Sequence, residues 1–485
     1  MKRFLLIALV LSLTLPVVSL SACGETMGNT DTTAAQNSGG DGTTADPLTD
    51  NLPDVKYDGY EFRFYTFGDY GSMYTPSEED GDIVNDATYR RNRTVEERFD
   101  VRIKSVESGA LDESEHSKTM EKLLLAEDEA FDVALNNGKR LATQSVSGYY
   151  LNLYDVEHLD FTKPWWSSQL VEDLTFMDCM FVCSSNLQYE EFAASKVYYF
   201  NKTKADEYKI GDLYQTVFDG KWTIDKLISL TKDVYEDVNG DGKHDKGDFY
   251  GMLTTISHNS WAVVFDIPVW TKKADSIEIS AMSSRMLDAF DIIKSWYFDS
   301  DGLYTWKSYS DAKDEMRQMF IDGRGLFTFG FVGDSGTYYR TTDVDYGMLP
   351  FPKYNEEQKS YRVFYGANSS NMFAVPKLAS DPSRTGVIIE ALSAEGYKQL
   401  IPVYYEIALK AKYLRDEDSN KMLDLITNAR TISFSYCYDK WDAGLGFGNC
   451  FGSSSAKSFA TFYAGRENLV KERIEEVTEA FKNHK

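Results

Sequence analysis

The chain has 485 residues and a formal net charge of -25, so it lacks the basic balance that a nucleic-acid partner requires. Hydrophobic residues make up 42% and charged residues 26%, ordinary values for a soluble globular chain, and the length exceeds what one hydrophobic core sustains, so two domains are expected.

The first 22 residues read as an address. Lys2 and Arg3 form a positive start, residues 4–18 are apolar apart from Ser12 and Thr14, and small residues precede Cys23. The run is too short for a comfortable membrane span, and no later stretch is long and apolar enough for one. Leu20-Ser21-Ala22-Cys23 resembles the bacterial lipoprotein box, which implies cleavage before Cys23 and a lipid on its thiol; the alternative is an ordinary secretory signal with a chance cysteine. Losing Lys2 and Arg3, with no acid among residues 1–22, would leave a mature charge of about -27. Two or three acyl chains, each buried CH₂ contributing ~0.8 kcal/mol, would make a durable anchor. Residues 24–54 are rich in Thr, Asn, Gly, Ala and Asp and poor in large apolar side chains, so they predict a tether with a reach of roughly 30 Å.

Folding is expected to start at residues 60–67, whose alternation reads as a strand, followed by a loop at Gly68-Asp69-Tyr70-Gly71. A helix capped by Asp82 or Asn85 runs through Phe99, a second strand spans 101–106, a helix ends near Ala126, and a third strand covers 131–135. Strand and helix alternate, which predicts an α/β sheet that is largely parallel. Beyond Pro164-Trp165-Trp166, strands are predicted at 174–184, 197–200, 326–331, 346–349 and 372–375. Helices are predicted at 223–236, 282–298, 311–321, 382–394 and 469–481, the first of them capped by Thr223. No internal repeat is visible.

Cys179 and Cys183, four apart on the predicted strand, would lie roughly 13 Å from each other and cannot bridge. Cys437 and Cys450 could pair across a loop. Aromatic residues reach 14%, with 32 Tyr and 8 Trp, and their flat faces suit sugar rings as well as cores.

The segment 237–248 fits a calcium loop: Asp237, Asn239, Asp241 and Asp245 offer side-chain oxygens at positions 1, 3, 5 and 9, Lys243 a carbonyl at 7, and Asp248 closes at 12. Gly242 at position 6 permits the turn. Closure by Asp rather than Glu is similar to dockerin loops, but those occur as two copies in a terminal module, and here one copy lies inside the chain. A structural calcium ion is expected; an acidic turn without metal is the alternative.

Tyr198-Tyr199-Phe200-Asn201-Lys202, then Lys221-Trp222-Thr223-Ile224-Asp225-Lys226-Leu227 leading into the acidic loop and Tyr250-Gly251, resembles the family 1 extracellular solute-binding proteins of bacterial ABC importers. Arg90-Arg91-Asn92-Arg93 through Phe99, the Pro164-Trp165-Trp166 turn, Phe320 to Gly325, and Asp345 to Pro352 extend the resemblance over about residues 55–375. It implies an α/β, two-lobed periplasmic-binding-protein-like fold with a central ligand cleft and hinge crossings near 187–195, 366–371 and after 401. The implied parts are 55–190 and 369–405 for the N-terminal lobe and 191–368 and 406–485 for the C-terminal lobe, behind the signal (1–22) and the lipidated tether (23–54). The implied partners are a carbohydrate, an ABC permease and, through Cys23, the membrane, with no nucleic acid and a monomeric state; the implied place is the outer face of the cell membrane.

Open α/β sheets bind ligands at loops beyond strand ends, which makes Asp69, Tyr70, Glu190, His258, Trp261, Asp334, Tyr338 and Trp441 the candidate binding residues. Trp faces would stack on sugars and carboxylates would accept hydroxyl hydrogens. Two rival readings share the composition. A secreted glycoside hydrolase would need two carboxylates flanking the scissile bond, and an adhesion protein would use the tether and calcium loop. No hydrolase motif is recognised, and no catalysis is expected.

Overall fold

Phe62 and Phe64 leave the first strand on the same side, because side chains alternate, and both are buried in the first of the two larger sheets. A computed structural model describes residues 48–68, 70–366, 371–405, 417–440, 444–452 and 458–484. Its strands in chain order are β1 Tyr60–Thr66, β2 Val101–Glu107, β3 Val133–Asn137, β4 Lys196–Asn201, β5 Tyr235–Glu236, β6 Phe249–Thr255, β7 Trp270–Lys272 and β8 Ile277–Ile279. There follow β9 Leu303–Trp306, β10 Gly325–Phe331, β11 Tyr346–Leu349, β12 Val363–Phe364, β13 Asn371–Ala374 and β14 Arg430–Thr431.

The first sheet has the order β13-β3-β1-β2, with β1 parallel to both β2 and β3. Asp82 caps the connecting helix Ile83–Phe99, accepting from the backbone N–H groups of Val84 and Asn85, and Asp100 ends it in the left-handed region at φ 49°. β13 comes from far along the chain and lies antiparallel to β3, Asn371 opposite Asn137, so this lobe is built from separated segments. The second sheet runs β11-β4-β10-β6-β5 with β9 on the other flank of β6. It is mixed rather than largely parallel: β6, β9 and β10 are parallel, whereas β4 is antiparallel to β10 and β11.

Three segments lie side by side between the sheets. Ser195 bridges Tyr365, Tyr365 N–H donates to the Thr431 carbonyl at 2.9 Å, and β12 pairs in parallel with β14. The third crossing thus falls at 430–431. After residue 417 the elements alternate between lobes instead of staying with one, as the range 406–485 implied. Helix Glu417–Asn428 packs on β11, helix Phe434–Tyr438 on helix Gly138–Ser145, and Phe459–Ala464 on Ser284–Phe298. Phe481 of the closing helix Glu467–Lys482 then meets Phe176 and Phe181 of the first lobe.

Two predicted elements change type. Residues 174–184 form no strand: helix Ser168–Leu174 ends there, and Met177 and Asp178, at φ 52° and 57°, turn the chain back so that Phe176 and Cys179 pair. The helix begun at Thr223 stops at Thr231, and Tyr235–Glu236 joins β6 as a strand. Cys179, Cys183, Cys437 and Cys450 are all buried and free, so Cys437 and Cys450 form no bridge.

Trp165 and Trp166 brace the first lobe, both indole N–H groups donating to Glu390 on helix Pro382–Glu395 at 2.9 and 3.1 Å. Gly396 follows that helix because a side chain there would meet the Asn186 carbonyl, 1.9 Å from an ideal Cβ. The start of the described chain is clamped to the same lobe. Asp50 pairs with Arg98, Lys163 Nζ donates to the Thr49 carbonyl at 2.6 Å, and Lys56 Nζ donates to the Glu97 and Arg98 carbonyls.

Candidate functional site

Parallel strands deliver their following loops to one edge, and both sheets turn that edge toward the crossings. From the first lobe come Phe67, Gly68 and Tyr70 after β1 and Gly138 to Arg140 after β3. From the second come residues 256–260 after β6 and 332–335 after β10.

Glu190 opens the short helix Glu190–Ala193 on the first crossing and keeps a partly exposed face. Burial raises its carboxyl to about 7, while hydrogen bonds from Asn371 and Tyr74 pull the other way. Tyr74 O–H reaches Glu190 Oε2 at 3.4 Å and bonds more closely to Gln188 Oε1. Gln188 in turn donates to the Asn371 carbonyl at 2.8 Å, as Tyr365 O–H does at 3.3 Å. Tyr70 belongs to the same group: its ring lies 5.1 Å from Phe67, and burial, then the negative charges of Glu190 and Glu113, drive its hydroxyl pKa upward. Glu190 and Tyr70 are therefore brought together, with first-lobe and crossing residues around them.

The second-lobe candidates behave differently. Asp334 is buried, pairs with Arg317 at 2.7 Å and accepts from Phe331 N–H at 2.9 Å, so its lone pairs already serve the end of β10. Burial raises its carboxyl, and Arg317 works against that. Tyr338 is 40% exposed, with the Arg317 guanidinium 3.6 Å from its ring centroid, which leaves a face to solvent. His258 is buried against Phe329 and Phe351, hydrogen-bonded to Thr254 and Thr255, and held neutral by burial. Trp261 is 0% exposed, its N–H donates to Tyr297 O–H at 3.0 Å, and Phe265, Trp296 and Phe351 pack around its ring. The stacking face expected of Trp261 is covered, because an indole so enclosed is core. Asp69, Trp441 and Cys23 lie outside the described residues.

Gln188, Tyr74 and Asn371 join this group without having been singled out by sequence. Two buried polar atoms at the strand ends, Thr66 Oγ1 on the last residue of β1 and Asn136 Nδ2 near the end of β3, have no hydrogen-bond partner. The Asn136-Asn137-Gly138 step was the signal that could have found this edge, since it ends a strand as Thr66-Phe67-Gly68 does.

In the acidic loop, Gly240 and Gly242 adopt φ of 74° and 73°, which only glycine tolerates readily, and the side chains fold inward onto backbone N–H groups. Asp237 accepts from Gly240 and Gly242, Asn239 from Asp241, Asp241 from Lys243, and Asp245 from Gly247. Asp248 is fully buried; its Oδ2 accepts from Asp245 N–H and Tyr235 O–H, while Oδ1 has no partner. Among the described residues no three Asp, Glu, His or Cys side chains already converge as a metal cage.

No family model matches the chain, and no curated protein matches it either. Solved structures do share its fold. The galacto-N-biose-/lacto-N-biose I-binding protein of an ABC transporter from Bifidobacterium longum, in complex with lacto-N-biose, aligns with a TM-score of 0.57 at 12% identity, covering 87% of this chain and 98% of its own. An ABC substrate-binding protein from Listeria monocytogenes in complex with cycloalternan gives 0.55 at 12% identity, with 85% and 100% covered. The maltose-binding periplasmic protein of Listeria monocytogenes, in complex with maltose, gives 0.53 at 15% identity, with 86% and 99% covered. The architecture is the two-lobed α/β fold of these proteins.

Proposed function

We propose that the chain is a solute-binding protein that captures a carbohydrate between its lobes and hands it, unchanged, to the permease of an ABC importer. The observation that carries this reading is the end-to-end match to three saccharide-bound binding proteins, each covered over at least 98% of its length. The geometry agrees with it. Three adjacent crossings permit a hinge, and Glu190, Tyr70 and Gln188 gather beside them with strand-end polar groups that lack internal partners. In this reading Cys23 carries lipid that holds the protein at the outer face of the cell membrane, and the protein acts as a monomer.

A ligand that touches both lobes favours the closed state by the extra affinity that state offers. It also raises stability by RT ln(1 + [L]/Kd), about 2.7 kcal/mol at a hundredfold excess over Kd. A melting screen over mono- and oligosaccharides should find a stabilising glycan, small-angle scattering should show compaction with it, and mass spectrometry should recover it intact. Turnover of the glycan would replace this reading with a hydrolase, and a broad panel with no response would overturn it in favour of adhesion or a non-sugar solute.

The acidic loop is proposed to hold one structural calcium ion, with Asp237, Asn239, Asp241, the Lys243 carbonyl, Asp245 and Asp248 as its oxygen donors. Support comes from Asp248, a buried carboxylate whose Oδ1 makes no well-formed hydrogen bond among the described residues. Calcium there would fasten β5 to β6.

A further inference from the structure

Lys196 opens β4 one residue past the first crossing, opposite Phe331 at the carboxyl end of β10. Its Nζ donates to Ser260 Oγ at 3.0 Å, in the loop that follows β6, and stands 4.8 Å from the ring centroid of Phe364 on the second crossing. Segments from both cleft-forming strands and from the hinge therefore meet at one ammonium group. Ser260 and His258 around it are buried, while Lys196 itself stays partly exposed. Among the described residues no carboxylate pairs with Lys196, and burial alone pulls its pKa down, to about 8.

A second lysine makes the comparison. Lys139, at the first-lobe edge after β3, stands 4.9 Å from the Tyr436 ring centroid, and Tyr436 meets Phe364 edge to face at 5.2 Å. Two lysines thus flank one pair of rings. Lys139 is paired with Asp439, although burial pulls its pKa down as well, to about 7, so the difference between the two lysines is the acid partner and not the shift. Lys196 has a serine hydroxyl and a ring in place of an acid, in a chain with 76 acidic residues. An ammonium half out of water without a counter-charge is unfavourable in the empty protein and becomes favourable once an anion reaches it.

We propose that the saccharide is anionic, and that Lys196 receives its carboxylate or sulfate at the hinge side of the second lobe. The inference rests on the carbohydrate reading above and names its ligand class. Lys196 acts as a specificity residue: it discriminates by charge, and Ser260 holds the ammonium in place while the cleft is open. A charge-assisted hydrogen bond of this kind corresponds to about tenfold to a hundredfold in affinity.

The test is calorimetric titration of the full chain with oligogalacturonates and sulfated galacto-oligosaccharides, each beside its neutral counterpart, the methyl ester or the desulfated sugar. At least one anionic glycan should bind tenfold or more tightly than its neutral form, and which of the two series responds identifies carboxylate or sulfate. Lys196→Gln should erase that preference, so that the charged and neutral forms bind alike, and Lys196→Arg should keep most of it. Should the Gln variant fail to fold, the comparison of acid with neutral counterpart on the unaltered protein decides alone. Equal or tighter binding of the neutral forms, or a preference that survives Lys196→Gln, overturns the anionic inference and leaves the carbohydrate reading standing. Binding of neither form, with no response in the wider melting panel, overturns both.

Discussion

Glu191 Oε1 and Arg430 Nη1 lie 3.1 Å apart in a buried ion pair that ties the first crossing to the third. Asn186 adds a hydrogen bond to the same carboxylate oxygen at 2.9 Å, and the guanidinium stands 3.9 Å from the Phe192 ring centroid. Removing one partner strands the other charge, so Arg430→Met should destabilise the fold by about 3–5 kcal/mol. The double variant Glu191→Gln with Arg430→Met should recover much of that loss. Urea denaturation of the three proteins checks both, and a single variant within about 0.5 kcal/mol of the parent would show the pair to be idle.

Glu390 gives stability a pH dependence of known sign. Burial raises its carboxyl to about 8, against the hydrogen bonds from Trp165, Asp160 N–H and Trp166. The folded protein therefore holds a proton that the unfolded chain has released above its ordinary carboxylate range. This contribution is complete below the unfolded value and is lost as pH rises through about 8, at up to ~1.4 kcal/mol per pH unit. Denaturation midpoints should fall from pH 5 to pH 8 more steeply in the parent than in Glu390→Gln. Parallel profiles would count against a protonated Glu390.

Trp261 and Tyr70 should separate packing from binding. Trp261→Ala leaves a large void in a sealed aromatic cluster and should lower stability by about 3–5 kcal/mol, with the affinity of the remaining folded protein little changed. Tyr70→Ala, at a partly exposed position beside Glu190, should weaken glycan binding with a smaller loss of stability. Melting and titration on the same preparations decide the assignment.

Calcium should raise the melting temperature of the chelator-stripped protein in a concentration-dependent way, by the amount that selective binding to the folded state allows. Asp248→Asn should abolish the response. An unchanged melting curve in EDTA, with or without the substitution, would leave segment 237–248 as an acidic turn.

Local chemistry announced many of the longer regular elements, though not strand β6 or helix Glu417–Asn428. Asp82, Thr223 and Pro382 marked helix starts correctly, and the alternation of residues 60–67 marked a strand. What sequence could not reveal is where a segment finds its partners. Residues 174–184 have the composition of a strand, but their hydrogen bonds go to Leu153 and Phe373, not to a ladder. The same blindness affected the site. A tryptophan in a strand-end loop looks alike whether it faces a ligand or, as Trp261 does, three other rings. Lys196 drew no attention because an unbalanced charge is a property of its neighbours in space. Glu190 and Tyr70 could be picked out as candidates because each follows a segment boundary, and the structure places the two near each other.

The clamp at Thr49 and Asp50 also defines a load path. Any pull delivered through the chain ahead of residue 48 enters at Lys163, Arg98 and the carbonyls that Lys56 holds, all on the first lobe. Force applied there is taken up on the first lobe, at residues that belong to none of the three crossings. The proposed hinge motion would then leave the first lobe as the fixed jaw and the second as the moving one.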